Sequence, residues 1–100
     1  MKRDMELVKK ILLFIVEKLD DPTHVDRNGH KMEYVTAAAI ESHFNSYGYP
    51  FVHMHLVILK IEGAFVLDER ETNYIKIKYL SWKGNDILDR LCDQSDSSLP

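Results

Sequence analysis

The stretch that decides the fold is YLSWKGNDILDRL, residues 79–91. Just before it, apolar and polar residues alternate over residues 74–79, which is typical of a half-buried strand with Ile75, Ile77 and Tyr79 on its buried side. From Ser81 onward, the apolar positions and one glycine recur at the spacing of a single helical face. These positions are Gly84, Ile87, Leu88, Leu91 and Cys92. The stretch therefore predicts a strand that passes directly into an amphipathic helix.

Two residues at this junction have predictable local roles. Ser81 is a good N-cap, because its hydroxyl can accept a hydrogen bond from a backbone N–H in the first turn that has no partner within the helix. Gly84 is a poor helix former, so we expect another backbone or a large ring to pack closely against it. A strand that ends in Leu-Ser/Thr-x-x-Gly and continues into a final amphipathic helix is a common ending of winged-helix domains, and we test the whole chain against that fold.

The composition is that of an ordinary globular domain. The chain has 100 residues, of which 45% are hydrophobic and 29% are charged, and this is enough for one domain with a modest core. Its one cysteine, Cys92, allows no intrachain disulfide, and the apolar run over residues 11–16 is too short to cross a membrane. We expect a soluble cytoplasmic protein with a single domain over residues 1–94 and a flexible tail over residues 95–100.

The remaining elements follow from apolar periodicity and capping residues. Three helices are predicted to precede the wing, and they cover residues 3–20, 37–47 and 50–62. Residues 23–34 are predicted to form a loop or a small hairpin, because Asn28-Gly29 is a turn signal. Strands within residues 64–67 and 73–80 make a two-stranded wing with an acidic tip. The predicted fold class is α+β and winged helix-turn-helix-like, with three helices, a two-stranded wing and a C-terminal helix.

The third helix is apolar on two sides. One side is Val52, Leu56 and Leu59, and the other is Met54, Val57, Ile58 and Ile61. A helix that reads base edges in a DNA groove needs Arg, Lys, Asn or Gln facing outward. A helix that is apolar nearly all round is typically buried or shared with a partner. The third helix is therefore poorly equipped for specific base recognition.

Five residues are nevertheless candidates for contacts with nucleic acid. They are His53, His55 and Lys60 on the third helix, and Lys76 and Lys78 on the wing. The net charge of −3 and the acidic wing tip, residues 68–71, act against DNA binding, because phosphates are neutralised by an excess of Lys and Arg.

Leu7 and Phe14 lie seven residues apart on the first helix and away from its main apolar face. Two interpretations remain open for them. Either other parts of the chain cover these side chains, which is the commoner case, or they form a partner interface with another subunit.

No pattern of residues indicates catalysis, a metal site or a cofactor. His53 and His55 point to nearly opposite sides of a helix, because they are two positions apart. His24 and His30 flank a turn without a cysteine or another ligand. Neither a glycine-rich phosphate loop nor Gly-x-Ser-x-Gly occurs. We expect a protein that is not an enzyme and that uses no cofactor.

The two ends of the chain resemble a known family. The opening MKRDMELVKKIL, the pair His55 and Gly63, and the segment LSWKGNDILD at residues 80–89 are similar to domain of unknown function 2513. This is a family of small proteins from Gram-positive bacteria and their prophages. Residues 21–47 depart from the family pattern. The resemblance implies a winged-helix-like fold and a prophage or mobile-element setting, and it implies no activity or site residue.

Two functions remain open from the sequence. The fold and the mobile-element setting favour a DNA-binding transcriptional regulator of phage type, although fold alone is an analogy. The net charge, the acidic wing tip and the apolar third helix favour a non-catalytic protein-interaction module that does not bind DNA. The expected partners are DNA in the first case, and a second copy or another protein in the second. No membrane is expected to be involved.

Overall fold

The computed structural model describes residues 4–68 and 75–97. Over these residues the fold is α+β, with four α-helices, one 3₁₀ turn and a three-stranded antiparallel sheet. The elements in chain order are α1 (Met5–Asp20), β1 (Val35–Thr36), α2 (Ala37–His43), the 3₁₀ turn (Asn45–Tyr47), α3 (Tyr49–Ile61), β2 (Phe65–Leu67), β3 (Lys76–Leu80) and α4 (Trp82–Ser97). Within the described ranges, no helix combines the length and the apolar character that crossing a membrane requires.

The helix ends follow from capping residues. The Asp4 carboxylate accepts a hydrogen bond from the Leu7 N–H at 3.1 Å, and so α1 begins at Met5. The Thr36 hydroxyl accepts from the Ala39 N–H at 3.1 Å, which confirms the predicted cap of α2. α2 ends earlier than predicted, and a 3₁₀ turn leads to Gly48, whose φ of 89° suits glycine.

The sheet has one strand more than the predicted two-stranded wing. β3 lies in the middle and pairs antiparallel with β2 on one side and with β1 on the other. β1 is only two residues long. Such a short strand carries no period-two signal, and β1 could therefore not be predicted from the sequence. The rest of the predicted acidic wing tip after Asp68, at residues 69–71, lies outside the described part of the chain.

A β-bulge changes which side chains of β3 face inward. Val66 pairs with Tyr79 and Leu67 pairs with Ile77, so the register skips one residue, Lys78. Ile77 and Leu80 are buried, whereas Tyr79 is 55% exposed. The prediction that Tyr79 lies on the buried side of the strand is therefore wrong.

The core lies where α1 packs against the sheet and against α4. Leu7 is fully buried and Phe14 is nearly so, and both belong to this core. Phe14 packs edge-on against Phe44, with ring centroids 5.7 Å apart. The chain itself therefore covers both side chains. Of the two interpretations of Leu7 and Phe14, the subunit interface is wrong, and burial within the chain is confirmed.

The junction between β3 and α4 confirms the predicted roles of its residues. The Ser81 hydroxyl accepts a hydrogen bond from the Gly84 N–H at 3.1 Å and donates one to the Gly63 carbonyl. A Cβ on Gly84 would lie 2.2 Å from the carbonyl oxygen of Ala64. α4 can therefore begin against the end of α3 only because residue 84 has no side chain. α4 continues to Ser97, beyond the predicted domain end at residue 94.

Candidate interaction surface on the third helix

α3 buries one of its two apolar sides and exposes the other. Val52 and Leu56 are fully buried, and Leu59 is nearly so. The opposite side consists of Met54, Val57, Ile58 and Ile61, which we call the α3 patch. Met54 is 42% exposed and Ile61 is 76% exposed, while the other two side chains are half-buried. The described part of the chain therefore leaves an apolar helix face open to solvent.

The apolar surface continues from the α3 patch into a groove. Ile58 lines this groove together with Met5 from α1 and Ile87 from α4, and the groove has a volume of about 170 Å³. Met5 is itself well exposed. Because Ile58 belongs both to the patch and to the groove, the exposed apolar surface includes parts of three helices.

Two carboxylates beside the α3 patch, those of Glu41 and Glu62, have partners within the chain. His53 donates a hydrogen bond through Nδ1 to Glu41 Oε1 at 3.0 Å, and its ring stacks on Tyr49 with centroids 5.5 Å apart. At the other end of the helix, Glu62 forms an ion pair with Lys83 at 3.4 Å. Both carboxylates are therefore engaged within the chain, while Lys60 on α3 is exposed.

Trp82 adds a large aromatic side chain near the C-terminal end of α3. Its neighbours Ser81 and Lys83 contact Gly63 and Glu62, which directly follow α3. The Trp82 side chain is 90% exposed. The indole therefore contributes little to the core, and its exposure is unusual for the chain's one tryptophan.

His55 is not a surface residue, and its prediction as a nucleic-acid contact is wrong. Its side chain is 2% exposed. Nε2 accepts a hydrogen bond from the Asp4 N–H at 3.0 Å, and Nδ1 donates one to the Phe51 carbonyl at 2.8 Å. The bond through Nε2 therefore holds the start of α1 against α3, and the bond through Nδ1 orients the ring on α3. The sequence contains a weak signal for this burial, since position 55 lies about one turn from the buried positions 52 and 59, at the edge of their helical face.

The remaining candidates for nucleic-acid contact lie on different elements. Lys60 is exposed near the C-terminal end of α3, and Lys78 is exposed at the bulge of β3. Lys76 is half-buried, and its Nζ lies 4.8 Å from the centre of the Tyr34 ring, a cation–π contact. His53 is hydrogen-bonded to Glu41.

The fold and this surface define a small α+β domain with an apolar helix face exposed to solvent. The chain belongs to the family described as "Hypothetical protein (DUF2513)", whose sequence model matches residues 2–96. The resemblance seen at the two ends is therefore confirmed, and the description of the family names no activity. Neither the curated proteins nor the solved structures include a match to the chain.

Proposed function

We propose that this chain is a non-catalytic protein-interaction domain of the winged-helix type that pairs with a second copy of itself through the α3 patch. The order of the elements supports the fold assignment, because helix, strand, two helices and two strands follow one another with β3 in the middle of the sheet. In this arrangement α2 and α3 correspond to the helix-turn-helix, and β2 and β3 correspond to the wing.

The observation that carries the proposal is the apolar character of the outward face of α3. In winged helices that bind DNA, this helix presents polar and basic side chains to the groove. Here the corresponding face presents Met54 and Ile61 to solvent. Contiguous exposed apolar surface of this kind is typical of protein interfaces. Burial of one such side chain contributes about 1.5–3 kcal/mol.

Charge balance favours a second copy as the occupant. Each chain carries a net charge of −3, and two copies that approach through charged surfaces repel each other. The α3 patch is apolar, and the carboxylates next to it are engaged within the chain, Glu41 by a hydrogen bond from His53 and Glu62 by Lys83. A two-fold dimer brings the same patch of both copies together, so apolar surface meets apolar surface and like charges stay apart.

Sedimentation velocity over a range of protein concentrations tests the proposal. We expect the wild type to dimerise and Ile61→Glu and Met54→Glu to weaken the dimer by at least about tenfold, since each places a charge in an apolar contact. Val25→Glu is the matched control. Val25 is as exposed as Met54, at 42%, but it lies in the loop between α1 and β1.

The controls decide how each result is interpreted. Circular dichroism should show that the patch variants stay folded, because their side chains already face solvent. A wild type that remains monomeric at every concentration would contradict the proposal. The same applies if Val25→Glu weakens the dimer as much as Met54→Glu does.

A DNA-binding regulator is the second candidate, and the element order described above is the observation that favours it. Lys60 and Lys78 are exposed, and together with Lys76 they are the basic residues that would meet phosphates. Binding to random duplex DNA should be measured at low and at physiological salt. This candidate predicts steep weakening with salt, and a smaller salt dependence in the double variant Lys76→Glu, Lys78→Glu. A dimer that binds no duplex even at low salt would exclude it.

A further inference from the structure

A second surface feature is a cleft beside the C-terminal half of α1, away from the residues of the α3 patch. The cleft has a volume of about 370 Å³ and is lined by α1, by β1 and α2, and by the loop that follows α1. Apolar side chains of Phe14, Val35 and Ala39 contribute to its lining. Its polar lining residues are Lys18, His24, Ser42 and His43.

Among the residues that the structure describes, those lining this cleft include basic side chains and no carboxylate. This composition contrasts with the chain as a whole, whose net charge is −3. The nearby Asp21 carboxylate is engaged by Thr23, which donates to it through the backbone N–H at 2.8 Å and the hydroxyl at 2.7 Å. These hydrogen bonds lower the pKa of Asp21, with a smaller contribution from the charge of Lys18. Within the described residues, no carboxylate forms an ion pair with Lys18.

Aromatic contacts hold two of the basic groups in position. The His43 ring lies 4.4 Å from the Phe14 ring, centroid to centroid, and packs edge-on against Phe44 at 4.7 Å. The Lys18 ammonium lies 5.7 Å from the centre of the same Phe14 ring. Lys18 and His43 therefore both lie beside one aromatic side chain. These contacts reduce the entropy that the two side chains lose when a ligand binds.

Several donors in the cleft remain available to a ligand. His24 donates through Nε2 to the Tyr34 carbonyl at 3.0 Å, which orients its ring. For the Ser42 hydroxyl and the His43 ring nitrogens, the described part of the chain provides no hydrogen-bond partner. Lys18 adds an ammonium group with three N–H donors.

We propose that this cleft binds the phosphate group of a small phosphate monoester, with the organic part of the ligand against Ala39, the exposed apolar residue of the lining. A phosphate accepts hydrogen bonds through several oxygens at once, and it matches a lysine, a hydroxyl and imidazoles that line one cleft from different elements. Apolar surface next to these donors is what an aromatic or aliphatic ester group needs.

The test is a titration of the ¹⁵N- and ¹³C-labelled chain, followed by NMR, with phenyl phosphate and with inorganic phosphate. We expect saturable shifts at Ser42, His43 and His24, and tighter binding of phenyl phosphate because its ring contacts apolar surface. Lys18→Met should weaken binding by at least about tenfold, since it removes a charge-assisted hydrogen bond and keeps the aliphatic stem.

Lys10→Met is the matched control for the loss of one positive charge from α1. The Lys10 ammonium donates to the Tyr47 hydroxyl at 2.9 Å and does not line the cleft, so this variant should bind phenyl phosphate as the wild type does. Ser42→Ala provides a second cleft variant whose exposed side chain has no structural role, in case Lys18→Met alters the packing of Phe14.

Three results would overturn the inference. One is the absence of saturable shifts, and another is equal weakening by Lys18→Met and Lys10→Met. The third is a short DNA duplex that shifts the same resonances with higher affinity than phenyl phosphate, because the phosphate would then be that of a nucleic-acid backbone. Dimerisation through the α3 patch is measured separately, so either proposal can fail without the other.

Discussion

His53 and His55 lie two positions apart on α3 and have different environments. The imidazole of His53 is partly exposed and donates a hydrogen bond to Glu41. The imidazole of His55 is buried, and each of its nitrogens has a backbone partner, one on α3 and one at the start of α1. A buried ring with both nitrogens satisfied contributes to stability, and its loss leaves a cavity together with an unpaired N–H.

We expect His55→Ala to lower the free energy of unfolding by about 2–4 kcal/mol, because it removes buried volume and two hydrogen bonds. His53→Ala is the matched control and should cost about 1 kcal/mol, because it removes one hydrogen bond made by a partly exposed ring. Urea denaturation followed by circular dichroism measures both. Equal losses in the two variants would show that His55 does not connect α1 to α3 as described.

The start of α4 depends on the close approach of two backbones. Ser81 donates its N–H to the Ala64 carbonyl at 2.9 Å, and its hydroxyl bonds to the Gly63 carbonyl. Gly84, one turn later, faces the same Ala64 carbonyl. Together these contacts hold α4 against the connection between α3 and β2. The position of α4 is therefore determined by two residues of the sequence Ser-Trp-Lys-Gly, Ser81 and Gly84.

Gly84→Ala should destabilise the domain by about 1–3 kcal/mol, because the new methyl group would overlap the Ala64 carbonyl and force α4 to move. This is opposite in sign to the gain of about 1 kcal/mol that replacing a helical glycine with alanine normally brings. Asp86→Ala, at an exposed position of the same helix, is the control and should have little effect. Thermal unfolding of the two variants gives the comparison, and a higher melting temperature for Gly84→Ala would contradict the packing.

The helices and the two longer strands could be predicted, because their signals are local. Periodicity over ten or more residues located α1 and α3, and the caps at Thr36 and Ser81 located the starts of α2 and α4. The positions of β1 and of Tyr79 could not be predicted in this way. A two-residue strand has no period, and a bulge that skips Lys78 depends on how β2 pairs with β3.

The apolar sides of α3 could be predicted, but not which of them the rest of the chain covers. Both sides have the same apolar character in the sequence, and only the packing of the folded chain, in which α3 lies against α2, buries the side of Val52, Leu56 and Leu59. The cleft at Lys18 could not be predicted either, since its polar residues come from three separate segments. In both cases the site is a property of the tertiary arrangement.

At the scale of the whole molecule, the proposed dimer combines an apolar contact with two chains of like net charge. Each chain carries a charge of −3, and added salt screens the repulsion between two such chains. An apolar contact is not weakened by screening, since it depends on the area removed from water. A DNA complex behaves in the opposite way, because its affinity falls as counterions compete for the phosphates.

We therefore expect the dissociation constant of the dimer to stay constant or to decrease when salt is raised from about 50 to 500 mM, a range over which the Debye length shortens from about 14 to 4 Å. Sedimentation equilibrium of the wild type at several salt concentrations measures this constant. Lys60→Gln, which removes the exposed charge next to the patch, should leave the trend unchanged. A dimer that dissociates as salt rises would mean that ionic contacts between the copies dominate, and the apolar face of α3 would then not be the surface that joins them.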